Sequence, residues 1–102
     1  MVAIIENEME RVAALCREHR VHRLEVFGSA ADGTFDPGRS DLDFLVEYEP
    51  MSPAEHYDAY FGLWEGLAAL FQRKVDLVEP HTMRNPYFIR EVNATRKIVY
   101  AA

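Results

Sequence analysis

The sequence predicts a mixed α/β (α+β) fold, a small mixed β-sheet packed with helices. Three short apolar runs, RLEVF (23–27), DLDFLVEY (41–48) and KVDLVEP (74–80), read as strands closed by glycine or proline. The longer stretches around them carry apolar residues at helical spacing. The order of helix, strand, strand, helix, strand, helix lacks the regular alternation of a doubly wound sheet.

Residues 3–20 predict an amphipathic first helix, because Ile5, Met9, Val12 and Cys16 recur at steps of four and three. Cys16 on that face reads as a packed thiol, with nothing nearby to lower its pKa. After strand 23–27, Gly28 precedes a helical turn expected at Ser29–Asp32, and TFDPG (34–38) is turn chemistry. Strand 41–48 stops at Pro50. Ser52-Pro53-Ala54-Glu55 then opens a helix with a serine cap, proline in the first position and glutamate three past the cap. Tyr57, Tyr60, Phe61, Trp64, Leu67, Ala68 and Phe71 follow helical spacing and are expected to form its core face rather than a ligand wall. Strand 74–80 ends at a proline, Asn85-Pro86 opens the last helix, and Lys97–Tyr100 closes as an extended edge.

The 102 residues predict one domain, and an apolar content of 49% supports an ordinary globular core. A net charge of -6 argues against direct nucleic-acid binding through a basic face. It serves solubility and leaves room for a cation or a basic protein partner. One cysteine allows no internal disulfide, which fits a reducing cytoplasm. The opening MVAIIENEMERVAAL is too charged for a signal peptide, and no run is long enough to span a membrane. The four histidines, His19, His22, His56 and His81, lie apart from any zinc-like set and read as surface residues.

The chemistry concentrates in 27-FGSAADGTFDPGRSDLDFLV-46. On a strand, residues i and i+2 share a face about 6.5 Å apart, so Asp41 and Asp43 project together while Leu42 and Phe44 point the other way. Such a pair suits one divalent ion, or two about 4 Å apart, and magnesium prefers these hard oxygen ligands. Asp76, between Val75 and Leu77, joins the same cluster if its strand is adjacent. Three ionised carboxylates are unfavourable there without a cation. Gly28-Ser29 ahead of a helical turn offers backbone N–H groups and a hydroxyl to a phosphate. Together these parts describe phosphoryl or nucleotidyl transfer, in which positioning and charge neutralisation supply most of the rate.

Strand, Gly-Ser, loop, Ser-Asp-Leu-Asp and a later Val-Asp-Leu-Val resemble the nucleotidyltransferase superfamily that includes DNA polymerase beta. The length and the ending N-P-Y-F-I-R-E-V-N…I-V-Y resemble its minimal nucleotidyltransferase (MNT) domains. The resemblance spans nearly the whole chain and implies a single minimal nucleotidyltransferase domain over 1–102. It implies that Gly28, Ser29 and Ser40 bind the nucleotide, that Asp41, Asp43 and Asp76 bind magnesium, and that Asp76 also helps deprotonate the acceptor. The implied reaction moves AMP from ATP to a hydroxyl. Many similar MNT proteins are antitoxins that silence a HEPN ribonuclease toxin by adding AMP to a tyrosine, which implies a hetero-oligomer with that partner. The sequence departs from the common pattern at Asp32, where arginine is usual, and in a loop one residue longer, with Pro37-Gly38. An acidic Asp32 would repel a triphosphate unless it turns away, and Arg39 reads as a solvated loop residue. Two other readings compete: a catalytically weak or dead module that acts by occlusion, and a transferase for a small-molecule acceptor. No added substrate pocket is visible for the latter.

Overall fold

A computed structural model describes residues 1–102. In chain order the elements are α1 (Ala3–Glu6), α2 (Met9–Glu18), β1 (Val21–Phe27), α3 (Ser29–Asp32), β2 (Leu42–Tyr48), α4 (Pro53–Phe71), β3 (Val75–Val78), a 3-10 turn (Pro80–Thr82), α5 (Pro86–Thr95) and β4 (Lys97–Ala101). The strands form one mixed sheet in the order β3-β2-β1-β4. β1 runs antiparallel to both β2 and β4, whereas β2 and β3 are parallel. No helix is long and apolar enough to cross a membrane.

Strand alternation sorts the side chains into two layers. Leu24, Val26, Leu42, Phe44, Val46, Val75 and Leu77 pack with Val12, Cys16, Leu63 and Leu67 from α2 and α4 to make the main core. On the opposite face, Phe27 and Leu45 meet Val92 of α5 in a smaller cluster. That second face is covered only in part, and it is where Asp43 and Asp76 emerge. Cys16 is fully buried, as expected, and burial pushes its thiol up to about 12.

Both predicted caps form. Ser52 Oγ accepts from Glu55 N–H at 3.2 Å while Glu55 accepts from Ser52 N–H at 3.1 Å, and Asn85 Oδ1 accepts from Tyr87 N–H at 2.9 Å. Three expectations need correction. The first helix is broken at Asn7-Glu8 and ends at Glu18, with Arg20 left-handed at φ 58°. Asparagine is a poor interior helix residue, and Val2 N–H is tied to Ala30 O at 2.8 Å, which draws the first turn over α3. Strand 74–80 shortens to 75–78 because Pro80 starts the 3-10 turn.

The third correction concerns α4. Its core face is Ala59, Leu63 and Leu67, whereas Tyr57, Phe61 and Trp64 are 64%, 44% and 39% exposed. The helix is apolar on nearly every side, so spacing alone does not choose the buried row. Small residues decide it. A Cβ on Gly62 would lie 2.5 Å from the His19 ring, and one on Gly66 would lie 2.6 Å from Leu15. The glycine row therefore faces α2, Tyr60 and Trp64 turn toward the sheet edge, and Tyr57 and Phe61 are left exposed. His19 and His56 are consequently half-buried rather than surface residues, with His56 Nε2 2.6 Å from Glu79 Oε1.

One buried charge fixes α5 to the sheet. Glu25 is 2% exposed on β1 and receives Arg96 through Nε at 2.6 Å and Nη2 at 3.0 Å, plus Arg23 Nε at 2.5 Å. The Arg96 hydrogen bond, followed by that of Arg23, holds the Glu25 carboxyl below the usual glutamate range. Its stabilisation is therefore present above that range and lost as pH falls through the lowered value. Arg96→Ala leaves the carboxylate buried without its fork and is expected to cost about 3 kcal/mol, measured by urea unfolding at neutral pH.

Candidate active site

Parallel pairing of β2 and β3 places Asp43 directly beside Asp76 in the register Leu42–Val75, Asp43–Asp76, Phe44–Leu77. Both aspartates leave the sheet on the α5 face, because their neighbours Leu42, Phe44, Val75 and Leu77 enter the main core. Their carboxyl groups lie close enough to share a proton. Burial first, then Asp76 and then Asp41, pushes Asp43 up to about 7, with Lys74 acting the other way. The predicted meeting of Asp43 and Asp76 is thus present in the fold.

Asp41 stands differently. It lies one residue before β2, and its Oδ2 is 3.8 Å from Lys74 Nζ at the mouth of the site. No three carboxylate, histidine or cysteine side chains are gathered here as a complete metal-holding group. The two paired carboxylates nonetheless fit a hard divalent cation, which would replace the shared proton. The Asp41–Lys74 pair is largely solvent-exposed, so it holds Asp41 only weakly.

Gly28 ends β1 beside this pair. Its φ of 70° is in the left-handed region, and a Cβ there would lie 3.0 Å from Asp43 Oδ2. Both the turn and the neighbouring carboxylate therefore require glycine. The Gly28 N–H donates to Thr95 Oγ1 at 2.8 Å, so the donors left to this turn for a phosphate are the N–H and hydroxyl of Ser29, at the first turn of α3. Ser40 lies in the loop, where its Oγ accepts from Asp36 N–H at 2.9 Å and its carbonyl accepts from Arg73. Arg73 also bonds Pro37 O and covers the Phe35 ring, stapling the longer loop. Asp32 turns away from the site. Its Oδ1 accepts from Thr34 N–H at 2.9 Å and Thr34 Oγ1 at 2.6 Å, and these bonds hold its carboxyl below the usual aspartate range.

A cleft of about 410 Å³ opens over Asp43 and Asp76. Tyr60 and Trp64 of α4 form its wall at the β3 edge, and α5 contributes Phe88, which packs on Phe27 of β1, and Glu91. Tyr60 Oη donates to Leu77 O at 2.6 Å and Trp64 Nε1 donates to Val75 O at 2.9 Å, so both are pinned to the free edge of β3. Sequence reading assigned Tyr60 and Trp64 to the core, against which Tyr60 does pack while Trp64 does not, and gave Phe88 and Glu91 no role. The available signal was a helix carrying a glycine row and an aliphatic row, which leaves its aromatics for another surface. A larger hollow of about 690 Å³, with His22, His56 and His81 on its walls, lies at the opposite end of β2 and contains neither aspartate.

A nucleotidyltransferase domain family model matches residues 9–99. Among solved structures, a minimal nucleotidyltransferase is 29% identical, with a TM-score of 0.63, covering 90% of this chain and 89% of its own. A toxin–antitoxin complex with AMP-PNP is 22% identical, with a TM-score of 0.66, covering 92% of this chain and 73% of the matched one. A complex of tri-AMPylated Shewanella oneidensis HEPN toxin with MNT antitoxin is 18% identical, with a TM-score of 0.62, covering 96% and 73%. Curated protein sequences give no match.

Asp43 protonates more readily in the folded than in the unfolded chain, so the folded state binds the extra proton between the ordinary aspartate range and about pH 7. Stability without divalent cation is therefore expected to fall as pH rises through that window. Asp43→Asn should flatten this slope in thermal unfolding measured across the pH series, and magnesium should restore stability to the wild type above pH 7.

Proposed function

The chain belongs to the nucleotidyltransferase domain family, and we propose that it transfers AMP from ATP, with magnesium, to a tyrosine hydroxyl of a HEPN-domain toxin that it silences. The observation that carries this reading is the Asp43–Asp76 pair, held side by side by strand register at the edge of an open cleft. Retaining two mutually repelling carboxylates in a half-buried site has a physical purpose if a cation and phosphates occupy it. The relatives add direction. One neighbour is a toxin–antitoxin complex with AMP-PNP and another contains a tri-AMPylated HEPN toxin with its MNT antitoxin.

Asp43 and Asp76 would hold magnesium, joined by Asp41 once it exchanges Lys74 for the metal. Bound magnesium supplies neutralisation of phosphate charge. Ser29, at the turn opened by Gly28, would hold the triphosphate, while Ser40 contributes by closing the loop. Asp76 would accept the proton of the attacking hydroxyl. The new bond joins the acceptor oxygen to the α-phosphorus, and the bond to pyrophosphate breaks, the leaving group taking the electron pair. Asp32, bonded to Thr34, faces away from that charge and is compatible with activity.

With labelled ATP, magnesium and the protein encoded in the adjacent reading frame, transfer of label to that HEPN partner is expected. Asp43→Asn and Asp76→Asn should each reduce labelling by about 10³-fold or more, on the scale of losing a group that stabilises transition-state charge. Equal binding of the partner by wild type and both variants, with no label in any, would establish occlusion instead.

A further inference from the structure

We infer that the aromatic wall at the β3 edge of the cleft, Trp64 with Tyr60, is the seat of the acceptor's aromatic ring and determines acceptor specificity. This rests on the transferase reading above but assigns residues that the family pattern leaves unassigned. Across the open end of the sheet stand Gly28 after β1, Asp43 on β2, Asp76 on β3, and then Tyr60 and Trp64 beyond the free edge of β3. In phosphoryl-type transfer the attacking and leaving oxygens lie roughly in line. With pyrophosphate leaving on the Gly28 side, the acceptor must enter from the other end of this row. That end is the aromatic wall.

The wall is also built for a ring. Trp64 is 39% exposed yet held by its bond to Val75 O, and Tyr60 is held by its bond to Leu77 O. Exposed aromatics that are already fixed lose little freedom when a ligand arrives. The cleft lining includes Asp43, Asp76 and Glu91 and no basic side chain, which repels a phosphate and admits a neutral ring bearing a hydroxyl. Asp76 lies beside that ring seat, where the hydroxyl's proton must go.

Trp64 is the only tryptophan, so its fluorescence reports this wall alone. Titration of the intact wild-type protein with N-acetyl-tyrosinamide should change Trp64 emission saturably, and N-acetyl-leucinamide or AMP should not. In transfer assays on a peptide with one tyrosine, Trp64→Leu and Tyr60→Leu should each raise the acceptor KM about tenfold, leaving the ATP KM unchanged. Trp64→Phe keeps a ring but loses the bond to Val75 O, and it should retain most of the acceptor affinity. Tyr60→Leu removes the other ring of the wall and stands as the second variant should Trp64→Leu unfold. A rise in the ATP KM would mean that the wall stacks the nucleobase and would overturn the inference. An unchanged acceptor KM in the folded wall variants would overturn it as well. If wild type transfers nothing but the tyrosine probe still shifts Trp64 emission, the transferase reading falls and the ring seat stands; if neither occurs, both fall.

Discussion

Parallel pairing between β2 and β3 is the constraint on which the site depends. It sets Asp43 beside Asp76, and a slip of β3 by one residue would send Asp76 into the core and expose Val75 and Leu77. The hydrophobic layer formed with α2 and α4 therefore fixes the register, and the register fixes the chemistry. The repulsion between the carboxylates is a cost that the core sustains. Its trace is the upward push on Asp43, caused first by burial and then by Asp76.

β3 is also the weakest part of the frame, four residues long with a partner on one side only. Leu42 N–H bonds Lys74 O, so alternate carbonyls on β3, those of Val75 and Leu77, turn outward. Trp64 and Tyr60, four apart on α4, donate to these two carbonyls in turn. The free edge is thereby capped against pairing with another chain, and the side chains that cap it become the wall of the cleft. Edge protection and ligand surface are the same atoms.

Much of this was legible in sequence because it depends on local rules. The helix caps, the proline stops and the period-two burial around Asp43 and Asp76 all follow from neighbours in the chain. The adjacency of β2 and β3 was legible only as a condition, since nothing local says which strands pair. The face of α4 was misread for a different reason. Aromatic, aliphatic and glycine rows all run along it, and only the bulk of Leu15 on α2 and of His19 just after it selects which row faces inward. Asp32 and Ser40 show the same limit. Their side chains are engaged by Thr34 and Asp36, partners visible only once the loop is folded.

The distribution of positive charge follows from these engagements and bears on how a nucleotide can bind at all. Lys74 is paired with Asp41, and Arg73 is committed to Pro37 O, Ser40 O and the Phe35 ring. Arg96 and Arg23 serve Glu25, and the residue at position 32 is acidic. No basic side chain lines the cleft. A triphosphate brought here alone meets Asp43 and Asp76 with only the Ser29 turn to offset them. A cation accompanying the nucleotide changes both sides of that balance, because it neutralises phosphate and displaces the proton that burial forces onto Asp43. On the proposed reading, the acidity of the site makes nucleotide binding depend on the metal, because the cation that the carboxylates attract is what lets the phosphates approach.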